Sequence, residues 1–259
     1  MISILPCRVT PALKALFDPK IPTAIRCFAV LEGGNAGKIL TDQPDNPRWG
    51  LVWEADDGTL YRGGGYGTKV LAEAVDLLRQ DGIVAMGFRE DDPSVNLFPP
   101  HPQAGAKCLE FDRPISSSDL SPYMDQLPNG FEVHLMNRSL LERSPISDRN
   151  IVRYGSLDHF LKRGLAVCIT HEDEVVSEAY ADMEVMGRRE LGIFTQRAYW
   201  RRGLATVACA HLIQLCEESG YSTYWDCAKL NLSSIALARK LGFRNERGYQ
   251  LLAWFSLPE

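Results

Sequence analysis

Residues Glu190–Gly220 read ELGIFTQRAYWRRGLATVACAHLIQLCEESG, and this stretch decides the fold. Its first six residues, with Leu191, Ile193, Phe194 and Thr195 apolar or β-prone, predict a strand, Glu190–Thr195. From Leu204 the pattern changes. Leu204, Val207, Ala208, Leu212, Leu215 and Cys216 fall on one face of a 3.6-residue period, and Gly220 marks a stop. Between strand and helix lies a basic loop carrying Arg201, Arg202 and Gly203. Free N–H groups at a helix start, with the positive end of the helix dipole, form an anion site. Gly203 and Ala205 let a phosphate approach the backbone, and the two arginines add charge-assisted hydrogen bonds. Alone, the pattern indicates a phosphate-bearing ligand, and its bland counterpart is a solvated basic turn.

Working outward, Gly130–Met136, Leu165–Thr170 and Val175–Ala181 read as strands, with turns at His171–Glu174 and Met186–Arg188. Ser139–Arg143 reads as a short helix. Downstream, Tyr221–Asp226 is a short strand, Asn231–Leu241 an amphipathic helix closed by Gly242, and Tyr249–Phe255 a last strand. In the first half, Arg26–Leu31, Gly37–Leu40, Trp49–Trp53, Thr59–Arg62 and Ile83–Phe88 read as strands and Lys69–Arg79 as a helix. A Pro-, Ser- and Asp-rich stretch near Arg113–Asn129 reads as a linker. The expectation is an α/β (α+β) chain with an N-terminal domain over residues 1–125 and a second over residues 126–259.

Stretch ELGIFTQRAYWRRGLAT resembles motif A of the GNAT superfamily of N-acetyltransferases, whose loop reads Q/R-x-x-G-x-G/A. Trp200 stands where Gln or Arg is usual. At the expected distance, NLSSIALARKLGF (Asn231–Phe243) resembles the family's N-x-x-A-x-x-L-Y-x-K-x-G-F helix. The resemblance covers roughly residues 130–255. Within the family, WDCAKLN and the turns of the leading domain look most like a two-domain bacterial subgroup that includes the zwittermicin A resistance acetyltransferase.

The resemblance implies a mixed central sheet flanked by helices, with acetyl-coenzyme A lying between two parted parallel strands. Ile193, Phe194 and Thr195 match the strand that pairs with the pantetheine arm. Trp200, Arg201, Arg202, Gly203, Leu204, Ala205 and Thr206 match the pyrophosphate loop. Asn231 matches a side chain near the thiol end, and it is also a natural N-cap. The family's usual acid, a tyrosine, is Ala238 here, which makes Tyr249 a candidate acid. Glu190 is the favoured base, although its register is one residue from the family position and one residue flips a strand's face. Asp226 is a further catalytic candidate, with Asp182 and Glu184 as rivals.

The remaining features constrain partners. The net charge of −5 gives no whole-chain basic field for nucleic acid. It arises in residues 1–125, with 12 Lys+Arg against 17 Asp+Glu, whereas residues 126–259 carry 16 of each. The seven cysteines contain no CxxC pair and read as reduced thiols, and the five histidines lack metal-ligand spacing. No apolar run approaches a membrane span, and the N-terminus reads as no signal peptide, so the expectation is a cytoplasmic protein. The run GGGYGTK (Gly63–Lys69) opens a helix without the pattern of a nucleotide-binding loop. Strands, Gly-rich turn, helix and strand in that order suggest that the N-terminal domain is a degenerate copy of the second. The expected activity is acetyl transfer to a small-molecule amine by a monomer or homodimer. The alternatives are an acyl-coenzyme A sensor without catalysis and a protein N-acetyltransferase.

Overall fold

A computed structural model describes residues 3–5, 9–92, 95, 102, 104–181 and 184–254. The chain divides into two compact units. Unit 1 comprises Met1–Leu109, Ala228–Leu230 and Arg247–Glu259; unit 2 comprises Glu110–Cys227 and Asn231–Glu246.

Unit 1 begins with strand β1 (Ser3–Leu5) and helices α1 (Pro11–Lys14) and α2 (Ala24–Leu31). Strands β2 (Gly37–Thr41), β3 (Trp49–Glu54) and β4 (Leu60–Gly64) follow, then α3 (Thr68–Leu78) and β5 (Val84–Phe88). β1 to β4 form an antiparallel sheet in sequence order. Thr59 makes a parallel bridge to Ala85. β6 (Ala104–Arg113) starts in this unit and ends in unit 2, and β12 (Arg244–Trp254) runs the other way. Within unit 1, β12 pairs antiparallel with β5 from Gln250↔Phe88 to Trp254↔Val84. Leu40, Leu51, Leu71, Leu78, Met86 and Phe88 anchor its core.

The expected strand Arg26–Leu31 is instead part of α2, in which Ala24, Ile25, Cys27, Phe28, Ala29, Val30 and Leu31 are buried. A helix apolar on nearly every side shows no period and is indistinguishable in sequence from a buried strand.

Unit 2 holds α4 (Ser121–Met124), β7 (Glu132–Leu135), α5 (Arg138–Glu142), α6 (Ser147–Tyr154) and α7 (Leu157–Arg163). Then come β8 (Leu165–His171), β9 (Glu174–Ala181), β10 (Arg188–Thr195), a 3-10 turn (Arg197–Tyr199), α8 (Leu204–Glu218), β11 (Ser222–Ala228) and α9 (Leu232–Lys240). Its strands lie in the order β7-β8-β9-β10-β11-β6. β7 to β10 are antiparallel and β10 pairs parallel with β11. The described part of the stretch expected to be a linker holds the fully buried end of β6, at Arg113, and α4.

The two units share one element order: a strand, helices, three antiparallel strands, a helix, then a strand in parallel contact with the third. This is the internal repetition expected from the sequence. The N-terminal unit keeps the order with a single parallel bridge.

The sheet of unit 2 separates two helical layers. Val133, Leu135 and Val167 line a groove with His211, Gln214 and Leu215 of α8. On the opposite face Ala166, Cys168 and Tyr180 pack with Leu140, Leu141, Tyr154 and Phe160 of α5, α6 and α7. α6 and α7 lie in a stretch to which the sequence reading assigns no element. α6 is short and strongly polar, and Asn150 and Arg153 are buried in it beside Tyr154, so no apolar stripe marks it in the sequence.

Candidate active site

β10 and β11 are paired only from Arg188↔Ser222 through Glu190↔Tyr224. Both strands continue, β10 to Thr195 and β11 to Ala228, without further rungs between them. On its other edge β10 stays paired with β9 from Leu191↔Ala181 to Thr195↔Ser177. Leu191–Thr195 therefore present one backbone edge to an opening of about 16 Å along the strand, at about 3.3 Å per residue. An unpaired strand edge next to a gap accepts an extended ligand that carries amides.

The far end of this opening leads into the basic loop. Arg201 has φ +63° and Gly203 has φ +82°, both left-handed. Gly203 is the N-cap of α8 and offers no side chain, so the helix start is capped by nothing of its own. Thr206 and Val207 already donate to the Gly203 carbonyl, at 2.9 and 3.2 Å. Among the described residues, no acceptor meets the N–H groups of Arg201, Arg202, Gly203, Leu204 and Ala205. Alternating backbone conformations, free amides and a 15-residue helix dipole make this an anion cradle. Arg201 and Arg202 are exposed beside it. The Arg202 guanidinium lies 5.4 Å from the Tyr199 ring centroid.

The face of each catalytic candidate follows from Gly192. A Cβ there would lie 2.2 Å from the ring of Tyr180, so only glycine lets that ring lie flat over β10. Gly192 thus shares the face of Tyr180, and by strand alternation Glu190 and Phe194 share it too. This is the face of α5–α7, away from α8. Glu190 is 3% exposed and sits on the last rung before the strands part. Its rung partner Tyr224 donates to Glu110 Oε2 at 2.6 Å. Burial, with the nearby carboxylates of Asp226, Glu110 and Glu190, pushes the Tyr224 phenol well above its ordinary range, so it remains a neutral donor. Asp226 lies two residues past the last rung on the same face and is partly exposed. Glu110, Glu190, Tyr224 and Asp226 thus converge where the opening narrows.

The remaining sites fall as follows. Asn231 N-caps α9 by accepting from the Ser234 N–H at 3.1 Å, and it is exposed. Ala238 is fully buried in α9, leaving no hydroxyl where the family places its tyrosine. Tyr249 is buried in unit 1, where a Cβ on Gly87 would lie 3.5 Å from its ring. Glu184 is partly exposed and accepts from the Gly187 N–H at 3.2 Å in the β-turn before β10. Asp182 lies outside the described residues, as does Phe255 of the expected last strand.

Sequence reasoning missed Glu178. Its only signal is an acidic residue in the otherwise apolar strand EVVSEAYA. Glu178 stands opposite Phe194, is 0% exposed, and accepts from Ser144 Oγ and, at 3.1 Å, from Asn150 Nδ2. With Tyr154 Oη donating to the Ala181 carbonyl at 3.2 Å, it pins α6 and its leading turn onto β9. Burial raises its carboxyl above the usual carboxylate range, against hydrogen bonds that pull it down. A pKa higher in the folded than in the unfolded state contributes stability that is present in full below the unfolded value. That stability is lost as pH rises through the folded one. The excess unfolding free energy of the wild type over Glu178→Gln should therefore shrink as pH is raised from about 4. Denaturant titrations at several pH values check this, and an excess that grows with pH would show the buried carboxyl to be charged.

Comparison with known proteins identifies the family. The GNAT acetyltransferase family matches residues 99–252, well over half of the chain, and the protein belongs to that family. Proteins of this family use acetyl-coenzyme A. An uncharacterized N-acetyltransferase of Bacillus subtilis is 31% identical over 128 residues, which are 49% of this chain and 49% of that one. The chain thus spans about half the length of the curated relative it matches. A GCN5-related N-acetyltransferase-like protein from Streptococcus suis has the same fold over 92% of this chain and 96% of its own, with a TM-score of 0.70 and 24% identity. A tandem GNAT protein from the clavulanic acid biosynthesis pathway covers 100% of both chains with a TM-score of 0.62 at 11% identity.

Proposed function

We propose that the protein transfers the acetyl group of acetyl-coenzyme A to a primary amine, and that the amine belongs to a small molecule in the cytoplasm. The parting of β10 and β11 above an amide cradle carries this reading. The cradle at Arg201–Thr206 takes the pyrophosphate, with Trp200 at its entrance. Ile193, Phe194 and Thr195 run beside the pantetheine, and Asn231, past the end of β11, flanks the cofactor from the other strand. A cofactor seated this way brings its thioester to the narrowing, among Glu190, Tyr224 and Asp226. The amine nitrogen attacks the carbonyl carbon, an amide bond forms, and the carbon–sulfur bond breaks. Glu190 takes the proton the amine sheds, with Asp226 as its rival, and a strand N–H meets the developing oxyanion. The thiolate leaves without help from residue 238, since a thiol pKa of about 8.5 makes it a good leaving group. Membership of the two-domain subgroup resembling the zwittermicin A resistance enzyme is part of the same proposal, as is a monomeric or homodimeric state.

Ala238 favours a second reading, a coenzyme A-binding sensor without turnover. Release of free thiol from acetyl-coenzyme A in the presence of a primary-amine panel separates the two. The cradle itself is tested by Arg202→Glu, which places an anion beside the pyrophosphate. A charged hydrogen bond contributes about 1.5–3 kcal/mol, so calorimetry should show coenzyme A affinity down by at least about ten-fold. Unchanged affinity would remove the loop from the cofactor site.

A further inference from the structure

Trp200 is the residue by which the loop departs from its family pattern, and its setting is unusual within the chain. It is 59% exposed, whereas Trp49, Trp53, Trp225 and Trp254 are 5%, 6%, 1% and 4% exposed. It is also held in place. Its Nε1 donates to the Thr195 carbonyl at 2.8 Å, fixing the indole across the loop that joins β10 to α8. The Arg197 guanidinium lies 6.0 Å from its ring centroid. The next five residues are the free amides of the cradle. A large aromatic ring anchored in solvent, with a cation and a phosphate cradle adjoining it, has the elements of a nucleotide platform: a π-face for a base and positive charge for its phosphates.

We propose that Trp200 stacks the adenine of coenzyme A and that Arg197 meets the phosphate on its ribose, an inference that rests on the cofactor reading above. Trp200 directly precedes the amides proposed to seat the pyrophosphate, so its exposed ring lies within the stretch of loop that an adenosine joined to that pyrophosphate would adjoin. The indole then makes affinity depend on the nucleotide half of the cofactor, which takes no part in the chemistry. Such remote binding energy lets an enzyme select its acyl carrier.

The test is a cycle of two ligands and three proteins, read by calorimetry on the full chain. The ligands are coenzyme A and 4′-phosphopantetheine, which lacks the adenosine half. The proteins are the wild type, Trp200→Ala and Trp200→Phe. Trp200→Ala should weaken coenzyme A binding about ten-fold and leave 4′-phosphopantetheine within two-fold. Trp200→Phe, which keeps a ring but loses the N–H, should retain most of the affinity. Emission from the exposed indole should also be quenched by coenzyme A and not by the fragment. Equal weakening of both ligands would reduce Trp200 to a tether for the loop and overturn the proposal. So would an unchanged coenzyme A affinity in Trp200→Ala, or a Phe variant as weak as the Ala one. A wild type that binds no coenzyme A would instead refute the cofactor reading itself.

Discussion

Arg113→Ala should cost about 3–5 kcal/mol of unfolding free energy, the range for breaking a buried ion pair from one side. The side chain of Arg113 is fully buried and every part of its guanidinium has a partner. Nε donates to the Leu241 carbonyl at 2.7 Å, Nη2 donates to the Ser118 carbonyl at 3.0 Å, and Nη1 pairs with Glu217. These partners are the end of α9, the turn after β6 and the last turn of α8. One side chain thus ties together α8 and α9, the helices that follow β10 and β11. It also satisfies a helix-end carbonyl that would otherwise be orphaned. Burial lowers its pKa, with repulsion from Arg244 adding to the shift. Truncation leaves the Glu217 carboxylate and the Leu241 carbonyl without their donor, and the penalty comes mainly from those abandoned groups. Arg113→Met combined with Glu217→Leu should recover much of the loss, because an apolar pair leaves no unpaired charge. Chemical denaturation of the three variants checks this. A loss below about 1 kcal/mol for Arg113→Ala would mean that solvent reaches these groups.

Glu190→Gln should lower kcat by about 10²–10⁴-fold, the span of general base catalysis, while coenzyme A affinity stays within two-fold. The substitution keeps volume and hydrogen bonding at a 3% exposed site, so folding should survive. Its separation of turnover from cofactor binding follows from place. The cradle lies beyond the far end of the opening, about five strand residues away. Asp226→Asn is the companion variant. It stands on the same face but past the last rung and partly in solvent, where a carboxylate is less able to hold a single geometry. Steady-state kinetics on both would assign the base. Turnover lost in Asp226→Asn and kept in Glu190→Gln would move the role to the other strand.

Strands β8, β9 and β10 and helices α8 and α9 of unit 2 are legible in the sequence because apolar runs or helical spacing are bounded there by turn residues. Leu204, Val207, Ala208 and Leu212 of α8 are buried as their spacing predicts, and Gly220 and Gly242 take the left-handed conformation that ends a helix. The turns at Glu172–Asp173 and Met186–Gly187 also carry positive φ, as turn chemistry requires. Arg26–Leu31 reads as a strand because every position of α2 but Arg26 is apolar and buried, which leaves little helical contrast. β6 was hidden for another reason. Its first four residues are exposed, and in its buried end Glu110 and Arg113 stand among Cys108, Leu109 and Phe111, so no long apolar run marks it.

The sequence by itself determined the strand–loop–helix, its glycine and arginines, and the missing tyrosine at Ala238, because these depend on local backbone preference and residue identity. Only the tertiary structure decided which face Glu190 occupies, since the answer lies in the ring of Tyr180 covering Gly192 from the neighbouring strand. It alone joined Tyr224 to Glu110 across 114 residues and Glu178 to Ser144 across 34. The partners of a buried polar group are chosen by where strands pair and helices pack. No local rule in the chain encodes a contact between residues so far apart.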